Sequence, residues 1–252
     1  IILGILGSAF FISVAIAAKQ PIFSRDLLDR HVIIRTLGDL FGALFFVSAI
    51  VLTPLSSASA ILQGTPLAVT AGAAIFLGET VGPRRWIAVL IGFIGIILII
   101  KPGVADFSPL SLLAVAAVIC LSARDLATRA MTDALPTITI SIYAFVALAL
   151  AGVLAIPFYG SFVSPDFGEC TLFMLGISSG VVAYYLIVGA TRYGDASLVA
   201  PFRYSRLVFA MLVSLLILDE RPDLLTWIGA LVVVLSGYFV ALRERKIKNL
   251  DR

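Results

Sequence analysis

The chain has 252 residues and a net charge of +3, with 61% hydrophobic residues and only 13% charged residues. Soluble domains carry about 25% charged residues, and they do not need long uncharged runs such as 40–78, 134–165 and 207–218. The composition therefore excludes an ordinary soluble domain and favours several membrane-spanning helices, each of about 20 apolar residues.

Few side chains are available for metal binding or nucleophilic catalysis. Cys120 and Cys170 are too few for a disulfide framework, and His31 is the one histidine. With one histidine and two cysteines the chain has too few residues for a zinc site or a Ser-His-Asp triad. We therefore expect no metal, no cofactor and no enzymatic activity. We attribute the isoelectric point near 9 to basic cytoplasmic loops rather than to nucleic-acid binding.

Hydropathy predicts nine membrane spans in chain order. They lie at about 1–18, 37–53, 56–78, 86–101, 109–131, 137–157, 171–191, 196–218 and 224–242. Turn and breaker residues mark the joints, at Thr53-Pro54, Gly82-Pro83, Lys101-Pro102-Gly103, Pro136, Pro157, Pro165 and Pro222. The predicted fold class is an all-α, polytopic membrane protein without a soluble domain.

The basic residues predict how the spans are oriented. With the C-terminus inside, the inner loops and tail hold Lys19, Arg25, Arg30, Arg35, Arg84, Arg85, Arg124, Arg129, Arg192, Arg243, Arg245, Lys246, Lys248 and Arg252. The outer loops hold only Lys101 and Arg221. Because cytoplasmic loops carry the excess of basic residues, we expect a multi-pass protein of the inner (plasma) membrane with a cytoplasmic C-terminus.

The hydropathy pattern repeats after 141 positions, so that residues 50–96 align with residues 191–237 without a gap. In this alignment Glu79 meets Glu220. The predicted orientation puts the Glu79 turn inside and the Glu220 turn outside, so the two halves run in opposite directions. Inverted repeats of this kind are typical of secondary transporters.

The first half shows four spans and the second half five. We therefore expect one further helix, equivalent to span 109–131, at the start of the natural protein. It would complete an inverted repeat of five plus five helices. The predicted domains are a first repeat at 1–103, a second repeat at 107–243 and a basic cytoplasmic tail at 244–252.

Short motifs accompany the repeat. They are Phe45-Phe46-Val47-Ser48-Ala49, Leu77-Gly78-Glu79, Arg85-Trp86, Gly92-Phe93-Ile94-Gly95 and Pro102-Gly103, echoed by Leu218-Asp219-Glu220 and Trp227-Ile228-Gly229. With them the whole chain resembles the EamA family of the drug/metabolite transporter superfamily. The resemblance implies transport of a metabolite such as an amino acid, nucleotide sugar, vitamin or polyamine, often outward.

Arg203 and Arg206 form the main candidate site. They lie within the eighth predicted span, one turn apart on one helix face and just after Pro201. A charge inside a span is costly unless it is paired or hydrated, and two guanidinium groups suit a carboxylate or a phosphate. The alternatives are snorkelling to inner-leaflet headgroups and a structural ion pair with Asp125 or Asp195.

A second set of substrate-binding candidates is polar or aromatic. Gln63 is the repeat partner of Tyr204, and the resemblance implies that the helices holding both residues line the central path. Hydrogen bonding between helices is the alternative for Gln63. Tyr143, Tyr184 and Tyr185 offer aromatic walls with a polar tip, and packing or an interfacial belt is the alternative for them.

Charged residues in two other spans are candidates for coupling or gating. Arg124 and Asp125 are adjacent and should face different directions, whereas Arg129 lies four residues after Asp125 and could pair with it. A structural ion pair is the first interpretation of this group, and a gate or proton-coupling carboxylate is the second. Asp39, four residues after Arg35, carries the same two interpretations.

Together these patterns predict a secondary transporter that moves a small polar metabolite, anionic or zwitterionic, by alternating access. The alternatives are a non-transporting structural or regulatory membrane protein and a membrane-embedded transferase. The expected partners are the substrate, membrane lipid and protons as a candidate coupling ion, with no nucleic acid. The chain is expected to act as a monomer or homodimer.

Overall fold

The computed structural model describes residues 1–103, 107–131, 135–159, 166–193 and 202–248. Within them we number ten helices: α1 Ile2–Ala17, α2 Arg30–Leu52, α3 Leu55–Leu62, α4 Thr65–Phe76, α5 Pro83–Ile100, α6 Ser111–Ala130, α7 Thr137–Tyr159, α8 Phe167–Tyr193, α9 Ser205–Leu216 and α10 Leu224–Lys248. A 3-10 helix at Arg25–Leu28 joins α1 to α2.

Seven helical segments in the described part of the chain are long and apolar enough to cross a membrane. They are α2, α3 with α4, α5, α6, α7, and residues 167–186 and 224–243 of α8 and α10. Helices α1 and α9 are apolar but shorter. The prediction of an all-α, polytopic membrane protein is confirmed.

Several predicted boundaries differ from the helices. α2 begins at Arg30 rather than at residue 37, because Asp29 accepts the His31 backbone N–H at 2.8 Å and polar residues can continue a helix beyond the bilayer. Pro157, predicted as a joint, lies inside the last turn of α7. The predicted span 56–78 divides into α3 and α4 at Gln63.

Contacts divide the chain into two compact units, and each draws on both halves of the sequence. Unit 1 comprises 1–44 and 127–194, and unit 2 comprises 45–126 and 195–252. The predicted repeat domains at 1–103 and 107–243 stay a prediction. The predicted tail at 244–252 begins as part of α10, which runs to Lys248, and residues 249–252 lie outside the described residues.

Unit 1 is built on close packing of α1 against α7. The backbone of Gly4 lies so near Ala149 that a Cβ on Gly4 would come within 2.7 Å of the Ala149 Cβ. Gly7 lies against the ring of Phe145 in the same way. The core of this unit also includes Phe11 and Val181.

Unit 2 is built on close packing of α5 against α10. A Cβ on Gly95 would lie 2.9 Å from the Gly229 carbonyl oxygen, and a Cβ on Gly229 would lie 2.6 Å from a side-chain carbon of Ile99. Small residues let the two backbones approach. One end of the pair is joined by Lys101 and Asp223, whose Nζ and Oδ1 atoms are 2.8 Å apart.

The Lys101–Asp223 pair also caps α10. The Asp223 carboxylate accepts the hydroxyl of Thr226 at 2.5 Å and its backbone N–H at 3.3 Å. Burial acts to raise the pKa of Asp223, but the hydrogen bonds from Lys101 and Thr226 outweigh it and lower the pKa to about 2. The carboxylate therefore stays charged at any physiological pH.

The turns after α4 and α9 have the same backbone structure. Gly78 has a φ of 68° and Asp219, its counterpart at an offset of 141, has a φ of 51°. The Glu79 N–H donates to the Ala73 carbonyl at 3.1 Å, and the Glu220 N–H donates to the Ser214 carbonyl at 2.9 Å. The repeat seen in the sequence is thus reproduced in the geometry of these turns.

Glu220 ties the end of α9 to the beginning of α3. Its carboxylate accepts the backbone N–H groups of Leu55 at 2.6 Å and Ser56 at 3.0 Å, and the Ser56 hydroxyl at 2.8 Å. These donors belong to the first turn of α3, whose own N-cap is Pro54 and supplies no side-chain cap. Burial acts to raise the pKa of Glu220, but the hydrogen bonds from Ser56 and Leu55 hold it below its ordinary value.

Gly229→Ala is expected to lower the stability of the protein by about 1–3 kcal/mol, because the added methyl group overpacks the α5–α10 contact. Thermal unfolding of the purified protein in detergent measures the loss. Gly176→Ala is the matched control, since a Cβ at this helical glycine meets nothing within 4 Å. Equal melting temperatures for the two variants would contradict the close packing of α5 and α10.

Glu220→Gln is expected to cost about 1–2 kcal/mol at neutral pH, because it removes the charged acceptor from the first turn of α3. The folded pKa lies below the ordinary value, so the stabilisation is complete above about pH 4.3 and is lost as the pH falls through the folded pKa. When unfolding is measured as a function of pH, the stabilities of the wild type and the variant should become equal at acidic pH.

The control for Glu220→Gln is Asp219→Gly in the same turn. Glycine adopts a φ near 51° without strain, so this variant should keep the stability of the wild type. If the free energies of unfolding of Glu220→Gln and the wild type differ by the same amount at every pH, the charge of Glu220 does not stabilise α3.

Candidate functional site

The breaks in two helices of unit 2 lie at equivalent positions. α3 ends before Gln63, and α9 begins after the turn residue Tyr204, which is 141 positions later. At about 1.5 Å per residue, Gln63 is about 12 Å from the start of α3 and Arg206 about 15 Å from the end of α9. If these capped ends lie at the membrane surface, both residues lie near the middle of a core about 30 Å thick.

Gln63 joins the two breaks. Its side-chain amide donates to the backbone carbonyls of Arg203 at 3.3 Å and Tyr204 at 3.2 Å. Gln63 is only 6% exposed, so the amide satisfies backbone carbonyls that the helix break leaves free. This contact favours the helix-to-helix interpretation of Gln63, and its contact with a substrate stays a prediction.

A charged cluster lies beside the start of α9. The Asp125 carboxylate is 2.8 Å from the guanidinium of Arg124 and 3.5 Å from that of Arg203. Arg124 and Asp125 are in contact although adjacent helix positions face different directions, because the long arginine side chain reaches back to its neighbour. One carboxylate therefore serves two guanidinium groups, and Arg203 is held more loosely than Arg124.

Arg206 has a different partner. Its guanidinium carbon lies over the ring of Phe46, 4.9 Å from the ring centroid, which is within the range of a cation–π contact. The side chain of Arg206 is exposed by surface area. Within the described residues its recorded contact is with an aromatic ring, whereas Arg203 meets a carboxylate.

Tyr204 is buried and packs against α10. It is 6% exposed, and its hydroxyl lies against the backbone of Gly237, where an added Cβ would collide with it. The hydroxyl has no hydrogen-bond partner within the described part of the chain. This placement favours packing, and the role of Tyr204 in substrate binding remains a prediction.

The three other candidate tyrosines belong to unit 1. The Tyr143 hydroxyl donates to the Ile22 carbonyl at 3.3 Å. Tyr184 packs against the ring of Phe145, with the ring centroids 5.1 Å apart. Tyr185 is exposed and lines a mainly apolar cavity of about 390 Å³ between α1 and α8. Tyr185 is thus the tyrosine of this group that borders open space.

Asp39, the other coupling candidate, lies in the unit 1 part of α2. Its carboxylate is 3.0 Å from the Arg35 guanidinium, and the two side chains are 12% and 10% exposed. The ion pair expected from the four-residue spacing is therefore present. Pro201 and Asp195, which the sequence placed near the arginines, lie outside the described residues.

The sequence did not assign Phe46 a role in the site. Phe46 stood within a motif, but no periodicity links it to Arg206, which lies 160 positions away. The cap formed by Glu220 could have been inferred from the repeat, since Glu220 and Glu79 occupy matching turns. Within the described residues there is no group of three or more histidine, cysteine or acidic side chains that could hold a metal.

Comparison with known proteins gives the family. The sequence profile of the EamA-like transporter family matches residues 2–101 and 109–242. The S-adenosylmethionine uptake transporter of Rickettsia bellii is 28% identical over 214 residues, which are 85% of this chain and 73% of the relative. The riboflavin transporter of Vibrio cholerae is 32% identical over 206 residues, 79% of this chain and 66% of the relative.

A solved crystal structure of another protein shares the fold. Its TM-score to this chain is 0.64 at 22% identity, over 95% of this chain and 85% of the other. The membrane-length helices and the family match make this chain a multi-pass membrane protein. Because the family profile matches both halves of the sequence, the chain belongs to the EamA-like transporter family, a family of transporters and not of enzymes.

Proposed function

We propose that this chain is a secondary transporter for a small anionic or zwitterionic metabolite, such as an amino acid, a nucleotide or a vitamin-like compound. The observation that carries the proposal is the pair Arg203 and Arg206, which lie on either side of the turn at Tyr204 that precedes α9, near the predicted mid-depth of the membrane. One carboxylate, Asp125, faces Arg203 and is shared with Arg124. Arg206 rests on the ring of Phe46.

The charge balance supports an anion. A guanidinium group inside a bilayer needs a counter-charge, water or both. Within the described residues Asp125 is already bound to Arg124 at 2.8 Å, so it supplies Arg203 with less than one full negative charge, and the recorded contact of Arg206 there is with the ring of Phe46. A substrate carboxylate or phosphate would supply the missing charge and could bind a guanidinium in a bidentate manner.

The names of the relatives support a metabolite of vitamin or nucleoside type. Relatives of this chain are an S-adenosylmethionine uptake transporter and riboflavin transporters. Identities of 28–32% leave the substrate open. S-adenosylmethionine carries a carboxylate beside its sulfonium cation, so the arginine pair would bind its anionic part, and the pair favours an anionic or zwitterionic group on the substrate.

We propose alternating access as the mechanism, in which inverted repeats exchange conformations around a site near mid-depth. The matching turns at Gly78 and Asp219 support a repeat with local symmetry. The basic residues of the loops support a C-terminus in the cytoplasm and a place in the inner membrane, with export as one direction of transport.

The structural alternative has one observation in its favour. If the chain is a non-transporting structural or regulatory membrane protein, carboxylates of the protein itself should pair with Arg203. Asp125 does lie 3.5 Å from the Arg203 guanidinium. This contact balances the charge of Arg203 but not that of Arg206, whose recorded contact in the described residues is with the ring of Phe46. We therefore keep transport as the proposal and let ligand binding decide between the two.

A substrate is expected to raise the melting temperature of the purified protein, and Arg203→Gln is expected to abolish that rise. A compound at 100 times its dissociation constant adds about 2.7 kcal/mol to the stability of the folded state. Thermal unfolding with amino acids, nucleotides, organic acids, riboflavin and S-adenosylmethionine measures the effect. Arg221→Gln, an exposed arginine in the turn after α9, is the matched control.

Two outcomes would distinguish whether the protein binds a ligand from whether Arg203 forms part of the binding site. A rise that survives in Arg203→Gln would keep a ligand-binding transporter and reject the arginine cluster as its site. No rise with any compound, together with a lower melting temperature for Arg203→Gln alone, would assign Arg203 to a structural ion pair.

Proton coupling through Asp125 or Asp39 makes a prediction about transport into proteoliposomes. Uptake of a compound that raises the melting temperature should respond to a pH gradient across the membrane. Asp125→Asn or Asp39→Asn should abolish this response if the residue binds the coupling proton, because an amide does not titrate. Asp26→Asn, an exposed carboxylate before α2, is the control. An unchanged response in both variants would remove the two carboxylates from the mechanism.

A further inference from the structure

We infer that Phe46 and Arg206 act as one binding element, in which Phe46 holds the guanidinium in place and Arg206 binds the planar ring of an anionic substrate. The inference rests on the proposed function, because it concerns the same site. It goes beyond the proposed function by naming a positioning residue, Phe46, and a substrate class: carboxylates or phosphates that carry an aromatic or heteroaromatic ring.

The first step is the different surroundings of the two arginines. Arg203 is 3.5 Å from the Asp125 carboxylate, so its charge is partly balanced within the protein. The Arg206 guanidinium lies 4.9 Å from the centroid of Phe46 and has no carboxylate recorded against it in the described residues. A ring face attracts a cation but carries no net charge, so Arg206 keeps its full positive charge for a ligand.

The second step concerns where Arg206 is exposed. α9 is an apolar helix, and exposure of the apolar side chains on its other faces, such as Val208 and Leu212, is what contact with lipid requires. A guanidinium near mid-depth does not face lipid, because burial of a charge in hydrocarbon is costly. A hydrated space beside the exposed part of Arg206 would meet this requirement and would let a polar ligand reach the guanidinium.

The third step is the geometry of stacking. A guanidinium is planar, and the central carbon of Arg206 lies 4.9 Å from the centroid of the Phe46 ring on one side, so the proposed ligand ring would stack on the other side. Its N–H groups lie in the plane and can bind a carboxylate or phosphate at the same time. A flat ring with an anionic group can use both surfaces of Arg206, whereas a saturated anion can use only the N–H edge.

The fourth step is the role of Phe46. Arginine has several rotatable bonds, and without a partner its side chain would have to be ordered by the ligand at an entropic cost. Phe46 is half-buried in unit 2, where it packs against the apolar core. It thus provides a fixed surface that holds the Arg206 guanidinium before the ligand arrives.

The test uses two carboxylates of the same charge and similar size, benzoate and cyclohexanecarboxylate. The first carries a flat aromatic ring and the second a saturated ring. Thermal unfolding of the purified chain is followed with each sodium salt, against sodium chloride at equal ionic strength. The wild type should bind benzoate roughly threefold or more tightly than cyclohexanecarboxylate, as read from the dependence of the melting temperature on concentration.

The variants separate positioning from folding. Phe46→Leu and Arg206→Gln should abolish the preference for benzoate, and Phe46→Tyr should restore it because an aromatic face is present again. Phe93→Leu, which removes a ring from the same core, is the control and should keep the preference.

Three results would overturn the inference. Equal shifts with both carboxylates in the wild type would remove the ring selectivity but leave an anionic transporter. A preference that survives in Phe46→Leu would remove Phe46 as a positioning residue and leave the proposed function intact. No shift with either carboxylate would count against the anion site itself, and with it against the charge argument of the proposed function.

Discussion

The hydrogen bonds that tie α3 to α9 are the interaction on which the site depends. Glu220, just beyond α9, caps the first turn of α3, and Gln63, just beyond α3, binds the carbonyls of Arg203 and Tyr204. In a membrane, backbone groups left free by a helix break must find partners inside the protein. The two contacts satisfy these groups at both ends of the pair and hold the backbone of Arg203 and Tyr204 against α3.

Packing of α3 against α9 leaves the arginines beside the helix breaks with few partners in the described residues. Asp125 is shared by Arg124 and Arg203, and Phe46 supports Arg206 without neutralising it. In the described residues three guanidinium groups thus meet one carboxylate, an arrangement that the proposed anionic ligand would balance.

The sequence predicted most of the fold because the bilayer restricts the chain strongly. A long apolar run can cross a membrane in few ways, so hydropathy was enough to predict the all-α, multi-pass architecture. It was also enough to find the repeat, since Gly78 and Asp219 adopt the same left-handed turn at an offset of 141. The break at Gln63 was not predicted as a helix boundary, because an amide beside a glycine in an apolar run has no unique local signal.

The sequence by itself determined which apolar runs contain charged residues, because an ionised side chain in an apolar run is visible from composition alone. It named Arg203, Arg206 and Asp125 on that basis. Only the tertiary structure decided their partners: Arg124 folds onto Asp125, and Phe46 comes from 160 positions away to support Arg206. The physical reason is that contacts between distant helices depend on how their faces pack, and residue spacing within one helix does not record that packing.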